Sequence, residues 1–233
     1  MAGDGQPTAV PPDYDYDPGR FRLARSILLR YGAPDIHQRV AQRFLDERLL
    51  PVLDVGCGEG ELARHLPGGA WTGVDNSARM LARAPVPAVR ADATALPFPD
   101  ASFGSVALLY VLYHLPEPGR ALAEAYRVLR PGGLLAVSAP SRHDSPELAD
   151  VLHRDPLTFD AETAPELLAE HFSDVEIEHW DAPLLRLPTT AAVREFLVGK
   201  GVGPDRASAA AHATAVPLTV TKRGALAFAR KPE

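Results

Sequence analysis

Acidic side chains stand at the ends of short apolar runs in the first half of the chain: Asp54, Glu59, Asp75 and Asp92. The first two flank a glycine-rich turn. The segment Pro51-Val52-Leu53-Asp54-Val55-Gly56-Cys57-Gly58-Glu59-Gly60 reads as a buried strand running through three alternating glycines into a helix. Glycines there let the backbone turn sharply and approach a ligand closely, with free N–H groups at the helix start. Nucleotide, dinucleotide and flavin sites all use such a loop, so the loop by itself does not choose among them. The charges do. Asp54 and Glu59 put two carboxylates where a dinucleotide would lay its pyrophosphate, and like charges that close cost several kcal/mol. A cationic ligand is expected instead.

Asp75 follows a second apolar run in Thr72-Gly73-Val74-Asp75-Asn76-Ser77, about twenty residues beyond the glycine loop. An acid at that distance accepts both hydroxyls of a ribose. Its other reading is a cap for the helix starting near Ser77, a role that Asn76 or Ser77 could fill instead. Arg90-Ala91-Asp92-Ala93 closes a third strand with an acid that either bonds an adenine amino group or serves an ordinary turn. S-adenosylmethionine has a sulfonium and an ammonium and no phosphate, so it turns these carboxylates into an asset. Cys57, the single cysteine, reads as a small filler in the turn rather than a nucleophile. No Cys/His cluster has zinc-ligand spacing, and no metal is expected.

An alternation of strands and helices must position these acids. Strands are expected at Leu50–Val55, Ala70–Val74, Val86–Ala91, Phe103–Tyr110 and Leu134–Ala139, with helices near Gly60–His65, Ser77–Arg83 and Pro118–Leu129 between them. The last helix is expected to stop at Pro131-Gly132-Gly133. That order is the signature of a parallel sheet covered on both faces. Two helices precede it, one with Leu23, Ile27 and Leu28 on a stripe, the other opening at Pro34 with Ile36, Val40, Phe44 and Leu45 turned inward. After Ser145 come a helix near Pro165–Phe172, a strand at Val175–Trp180 and a final strand at Ala225–Ala229. The stretch from Ala182 to Thr221 between those strands holds a helix at Ala191–Val198 capped by Thr189 or Thr190, and is too long for a hairpin turn. It reads as a substrate-covering insertion or as a packing appendage on the sheet edge.

With 233 residues, 46% of them hydrophobic, the chain can bury one full-sized core and is too short for two ordinary domains with a linker. One domain over residues 13–233 is expected after a poorly ordered tail, residues 1–12, rich in Gly and Pro. A net charge of −6 and no Lys/Arg block leave no footprint for neutralising phosphates, which excludes nucleic acid as partner. Neither a leader peptide nor a membrane-length apolar stretch is read, so a cytoplasmic protein without a membrane span is expected.

In their order and spacing, VLDVGCGEG, GVDNS, ADATALPFPDASFGSVALLYVLYHL and EAYRVLRPGGLLAVSAPS resemble the class I S-adenosylmethionine-dependent methyltransferases, in the group that includes ubiquinone/menaquinone and many natural-product methyltransferases. The resemblance covers about Val52 to Ser141. It implies a Rossmann-like, doubly wound α/β fold: a seven-stranded sheet, mostly parallel with its last strand antiparallel. It implies that Asp54, Gly56, Cys57 and Gly58 line the methionine end and that Asp75 holds the ribose, with Asn76 and Met80 beside it. Asp92 and Ala93 would flank the adenine, and Tyr110 would lie beside the methionine moiety. Relatives often close an N-terminal aromatic over the cofactor, which makes Tyr14, with Tyr16, Arg20 and Arg22, a lid within an N-terminal helical region at about 14–48; otherwise the pair is only a sticky tail. The long segment before the final strand departs from the family pattern and leaves the acceptor pocket open.

Methyl transfer is an in-line displacement at an activated carbon, so the protein has to align the acceptor and exclude water. A hydroxyl or ammonium acceptor must also lose a proton. His114 emerges from the carboxyl end of the fourth strand, where open α/β sheets bind ligands, and either takes that proton or positions the loop. His143 with Asp144 follows the fifth strand and forms either a base with its orienter or a solvated loop. His153, His171, His179 and His212 share no spacing, and Trp71 and Trp180 read as packing. The acceptor is a small molecule methylated at oxygen, nitrogen or carbon, of quinone or natural-product type. Two alternatives stand beside this: a nicotinamide oxidoreductase, disfavoured by the paired acids, and a non-catalytic methyltransferase-like partner subunit. A monomer or homodimer is expected.

Overall fold

The computed structural model describes residues 17–32, 35–152 and 157–233. Helix α1 (Pro18–Tyr31) starts on Asp17, whose carboxylate accepts from the Arg20 amide, and ends on Gly32 in the left-handed region. Helix α2 (Ile36–Asp46) starts on Asp35, which accepts from the His37 amide. Pro34, the expected start of that helix, lies outside the described residues. There follow β1 (Val52–Val55), β2 (Trp71–Asp75), α3 (Ala78–Leu81), β3 (Ala88–Arg90), β4 (Phe103–Leu109), α4 (Pro118–Val128) and β5 (Leu129–Pro140). The chain closes with α5 (Ala164–Ala169), β6 (Asp174–Leu187), α6 (Thr190–Gly199), α7 (Pro204–Ala213) and β7 (Leu218–Arg230). Among the described residues no helix is long and apolar enough to cross a membrane.

The seven strands form one sheet in the order β3-β2-β1-β4-β5-β7-β6, with β7 antiparallel to both neighbours and the pairs from β3 to β5 parallel. This is the expected Rossmann-like α/β sheet. The chain steps outward from β1 to β2 and β3, then returns to β4 on the other side of β1. The strand order reverses there, and open α/β sheets bind ligands at the carboxyl ends of the strands at such a point, here β1 and β4. Strand alternation explains the two layers. Leu53, Val55, Val106 and Leu108 meet Leu122, Ala125 and Val128 of α4 on one face. Val52, Ala107 and Leu109 meet Val40, Ala41 and Phe44 of α2 on the other.

The later elements differ from expectation. Helix α4 ends at Val128 because Leu129 is already extended and pairs with Phe103; Pro131-Gly132-Gly133 lies inside β5 and does not stop the helix. Gly132 and Gly133 instead exchange hydrogen bonds with Lys231 near the carboxyl terminus. Helix α5 closes at Ala169, short of Phe172. Strands β6 and β7 run well past Trp180 and before Ala225, paired as far as Leu187 and Leu218, with a register shift between Ala182 and Leu185 where Pro183 lacks an N–H to donate. Thr189 caps α6 as expected, accepting from the Ala192 amide at 3.2 Å. Helix α7 was not expected. Ile27 of α1, Val193, Phe196 and Leu197 of α6, Ala207 of α7 and Leu185, Leu187 and Val220 share a further core in the arm formed by residues 182–221.

Candidate active site

Gly56 leaves β1 with φ 70°, and a Cβ there would stand 2.4 Å from a methyl of Val111, so both conformation and space call for glycine. Its N–H donates to the Val74 carbonyl at 2.7 Å. Two turns are joined by Asp75. One carboxylate oxygen accepts from the Gly58 N–H and the other from the Ser77 N–H, each at 2.8 Å. Ser77, not Asp75, is the N-cap of α3, its hydroxyl accepting from the Met80 amide at 3.2 Å. Met80 is buried. Its Cε and the Phe21 ring lie 3.2 and 3.7 Å from where a Cβ on Gly58 would be. Asn76 is exposed and gives its carbonyl to Arg90 Nε.

Asp54 is 4% exposed and accepts from the Trp71 indole N–H at 3.1 Å. Burial pushes its carboxyl up to about 6. Trp71 therefore does more than pack: it satisfies an acid that burial would otherwise strand. Glu59 corrects the two-acid reading of the loop. It pairs with Arg22 at 2.7 Å and approaches Arg83 at 4.0 Å, so it is neutralised from α1 and is not a bare charge facing a ligand. Glu61, also buried, is paired with Arg25 of the same helix. These two ion pairs strap α1 across the glycine loop. Cys57 is buried, and burial with the nearby Asp54 and Asp75 charges drives its thiol upward and leaves it inert.

At the carboxyl end of β4, Tyr110 takes φ 60° and donates its N–H to the Ser138 carbonyl at 3.1 Å. Its phenol is pushed up by burial and then by the charges of Asp144 and Asp35. His114 ends a single 3-10 turn, Leu112–His114, and its ring meets that of Tyr113 at 45°, with centroids 4.2 Å apart. Burial, helped by the positive charge of Arg20, pushes its imidazole down to about 4, so the ring is neutral near pH 7. Asp92 accepts from the Thr94 amide and hydroxyl, both at 2.8 Å, as a turn aspartate would. Ala93 follows it at the same edge of the sheet, half-buried. Tyr14, Tyr16 and His153 lie outside the described residues.

His143 and Asp144 have different surroundings. His143 is exposed, while Asp144 is buried and engages Lys222 Nζ, Lys200 Nζ at 3.9 Å and the Arg223 amide at 2.9 Å. Burial alone would raise its carboxyl; the two ammoniums outweigh burial and hold it below the usual range. Sequence reasoning missed these partners, and equally Arg22 for Glu59, Arg25 for Glu61 and Trp71 for Asp54. One sign was available: lysine occurs only at Lys200, Lys222 and Lys231, and two of the three converge on one acid.

The family profile described as a methyltransferase domain matches residues 53–137, the stretch that holds these loops. Among curated proteins, the malonyl-[acyl-carrier protein] O-methyltransferase of Pseudescherichia vulneris is 31% identical over 75% of this chain and 72% of its own length. The demethylmenaquinone methyltransferase of Thermus thermophilus is 37% identical over 47% of this chain and 56% of its own. The chain spans about half or less of the first curated relatives it matches. A Thermotoga maritima structure described as a methyltransferase dependent on S-adenosylmethionine, possibly acting on histamine, superposes over 94% of this chain and 97% of its own at TM-score 0.61 and 18% identity. That likeness speaks for the fold.

Proposed function

Because this chain belongs to the class I S-adenosylmethionine-dependent methyltransferases, we propose that it moves the sulfonium methyl of that cofactor to a small-molecule acceptor. The observation that carries the reading is the Asp75 carboxylate, placed at the end of β2 with Gly58 and Ser77 amides on its two oxygens and Asp54 buried beside it. The residues fit the cofactor. Asp54 is a buried acid whose direct partner is a neutral indole, and a ligand ammonium would supply the missing positive charge. Asp75, which holds the loop, stands at the end of β2 where an acid would accept from ribose hydroxyls. Gly56, Cys57 and Gly58 would give the backbone approach, Asn76 and Met80 would border the ribose, Asp92 and Ala93 would flank the adenine, and Tyr110 would lie beside the methionine moiety.

When bound, the cofactor supplies a methyl carbon already activated for displacement. The chain's own work is alignment and exclusion of water. Helix α1, strapped to the glycine loop and sharing a core with the arm at residues 182–221, is the cover over the acceptor. His114 stays neutral and holds the loop after β4 or accepts a proton there; His143 is exposed and Asp144 is engaged by two lysines, which favours His114 over His143 as the base. The acceptor atom is oxygen, nitrogen or carbon; the named relatives are methyltransferases of demethylmenaquinone and of malonyl-[acyl-carrier protein], and a metabolite of quinone or natural-product type suits the arm equally. Net charge argues against a nucleic acid partner, and the chain would work as a monomer or homodimer.

Calorimetric titration with S-adenosylmethionine, S-adenosylhomocysteine and, as control, NAD tests the reading. Tight binding of the first two alone is expected, and Asp75→Ala should weaken it about tenfold or more, the loss of a charged acceptor. Affinity unchanged in that variant would move the site elsewhere. No binding at all would favour a non-catalytic partner subunit.

A further inference from the structure

Trp71 and Gly73 stand two residues apart on one face of β2, and Gly73 pairs directly with Asp54 of β1. Any other residue at 73 would set a side chain opposite that acid. The indole occupies the place instead. A Cβ on Gly73 would stand 2.4 and 2.5 Å from Trp71 Cη2 and Cζ2, and 2.7 Å from Cys57 Sγ. The slot lets the ring reach its diagonal neighbour across the two strands, where its N–H donates to Asp54 Oδ2 at 3.1 Å. Both side chains are closed off from solvent. Among the described residues the indole is the one hydrogen-bond donor to the Asp54 side chain. Burial raises this carboxyl, and the indole N–H is the strongest influence that lowers it. His37 at the start of α2 also favours the ionised form, Asp75 at the end of β2 opposes it, and β4 sets Ala107 beside it.

Resting on the methyl-transfer reading above, we propose that Trp71 is a positioning residue of the cofactor site: seated in the slot left by Gly73, it holds Oδ2 of Asp54 and leaves Oδ1 for the cofactor's ammonium. An indole donates and accepts nothing, so it serves the carboxylate better than the carboxylic acid. It fixes the charged form without bringing a charge of its own. A lysine in the slot would neutralise the acid and weaken its pull on a ligand cation. Trp71 acts through Asp54 and touches neither the acceptor nor the methyl carbon.

The test follows Asp54 by NMR in unliganded protein labelled at the aspartate carboxyl carbons, its resonance assigned by its loss in Asp54→Asn. Wild type, Trp71→Phe and Gly73→Ala are titrated with acid. Phenylalanine keeps a ring in the slot and removes the N–H, while the added methyl of alanine drives the indole out. Losing the donor disfavours the carboxylate, so Asp54 should titrate about one pH unit higher in both variants, a tenfold change in its ionisation. Calorimetry with S-adenosylhomocysteine at pH 6 should then show about tenfold weaker binding in each, and no further loss when Trp71→Phe is added to Asp54→Asn. Trp180→Phe leaves Trp71 as the one indole of the chain and reads the intact slot: its emission should change in step with Asp54 and stay level when Asp54→Asn is added. An Asp54 midpoint unmoved in Trp71→Phe, an emission indifferent to that midpoint, or a moved midpoint with unchanged cofactor affinity overturns the proposal. Failure of wild type to bind S-adenosylhomocysteine would instead sink the methyl-transfer reading, while the titration still decides whether Trp71 holds Asp54.

Discussion

Asp54 and Asp144 are both buried acids at the same edge of the sheet, and the chain treats them in opposite ways. Asp54 meets the neutral Trp71 indole, and burial raises its carboxyl to about 6. Asp144 meets Lys222 and Lys200 and stays below the ordinary range. On the proposed reading, the difference separates an acid kept for a ligand's charge from an acid already spent on holding the arm to the sheet. Burial of each is comparable, so the partner decides the role.

The comparison breaks most visibly through Lys222. Lys222→Ala removes the nearer of the two ammoniums that engage Asp144, and unfolding in urea should show a loss of about 3 kcal/mol, with S-adenosylhomocysteine still bound. A loss below about 1 kcal/mol would mean that the pair contributes little. Asp54→Asn should do the reverse: cofactor affinity falls, by about tenfold or more in calorimetry, while the unliganded fold holds or gains stability. The sign follows from linkage. A carboxyl near 6 when folded and near 4 when unfolded makes the ionised native state dearer as pH rises from about 4 to about 6, by roughly 3 kcal/mol at neutrality.

The same titration sharpens the contrast without mutation. A ligand cation favours ionised Asp54, so cofactor affinity should be level above pH 6 and fall about tenfold by pH 5, with proton release on binding. A flat profile down to pH 5 would remove Asp54 from the ammonium site. The smallest effect is expected at Arg22→Ala, where a partly exposed ion pair with Glu59 is lost and stability should change by less than about 1 kcal/mol. A larger change would mark the strap of α1 over the loop as a main support of the fold.

The first half of the chain was readable because its instructions are local. Asp54, Asp75 and Asp92 stand at strand ends that period, glycine placement and turn residues mark within a few positions. Asp75 shows the limit: its place at the loop was legible, while the two amides it accepts, from Gly58 and Ser77, were not. The arm was harder still. Pro183 and the charged Asp181, Lys222 and Arg223 mask β6 and β7 as strands, and only their mutual pairing extends them to Leu187 and Leu218. Pro131-Gly132-Gly133 misled for a similar reason, since its partner near Lys231 is about a hundred positions away in the chain.

By itself the sequence determined the parallel α/β sheet, its glycine loop and the acids at its strand ends, because apolar alternation and glycine act over a few residues. Only the tertiary structure decided which of those acids are neutralised. Glu59 is paired from α1 and Asp144 from the arm, while Asp54 accepts from a neutral indole that leaves its charge unopposed by an ion pair among the described residues. A carboxylate's charge state depends on what packs within a few ångströms of it, and those neighbours come from elements far apart in the chain.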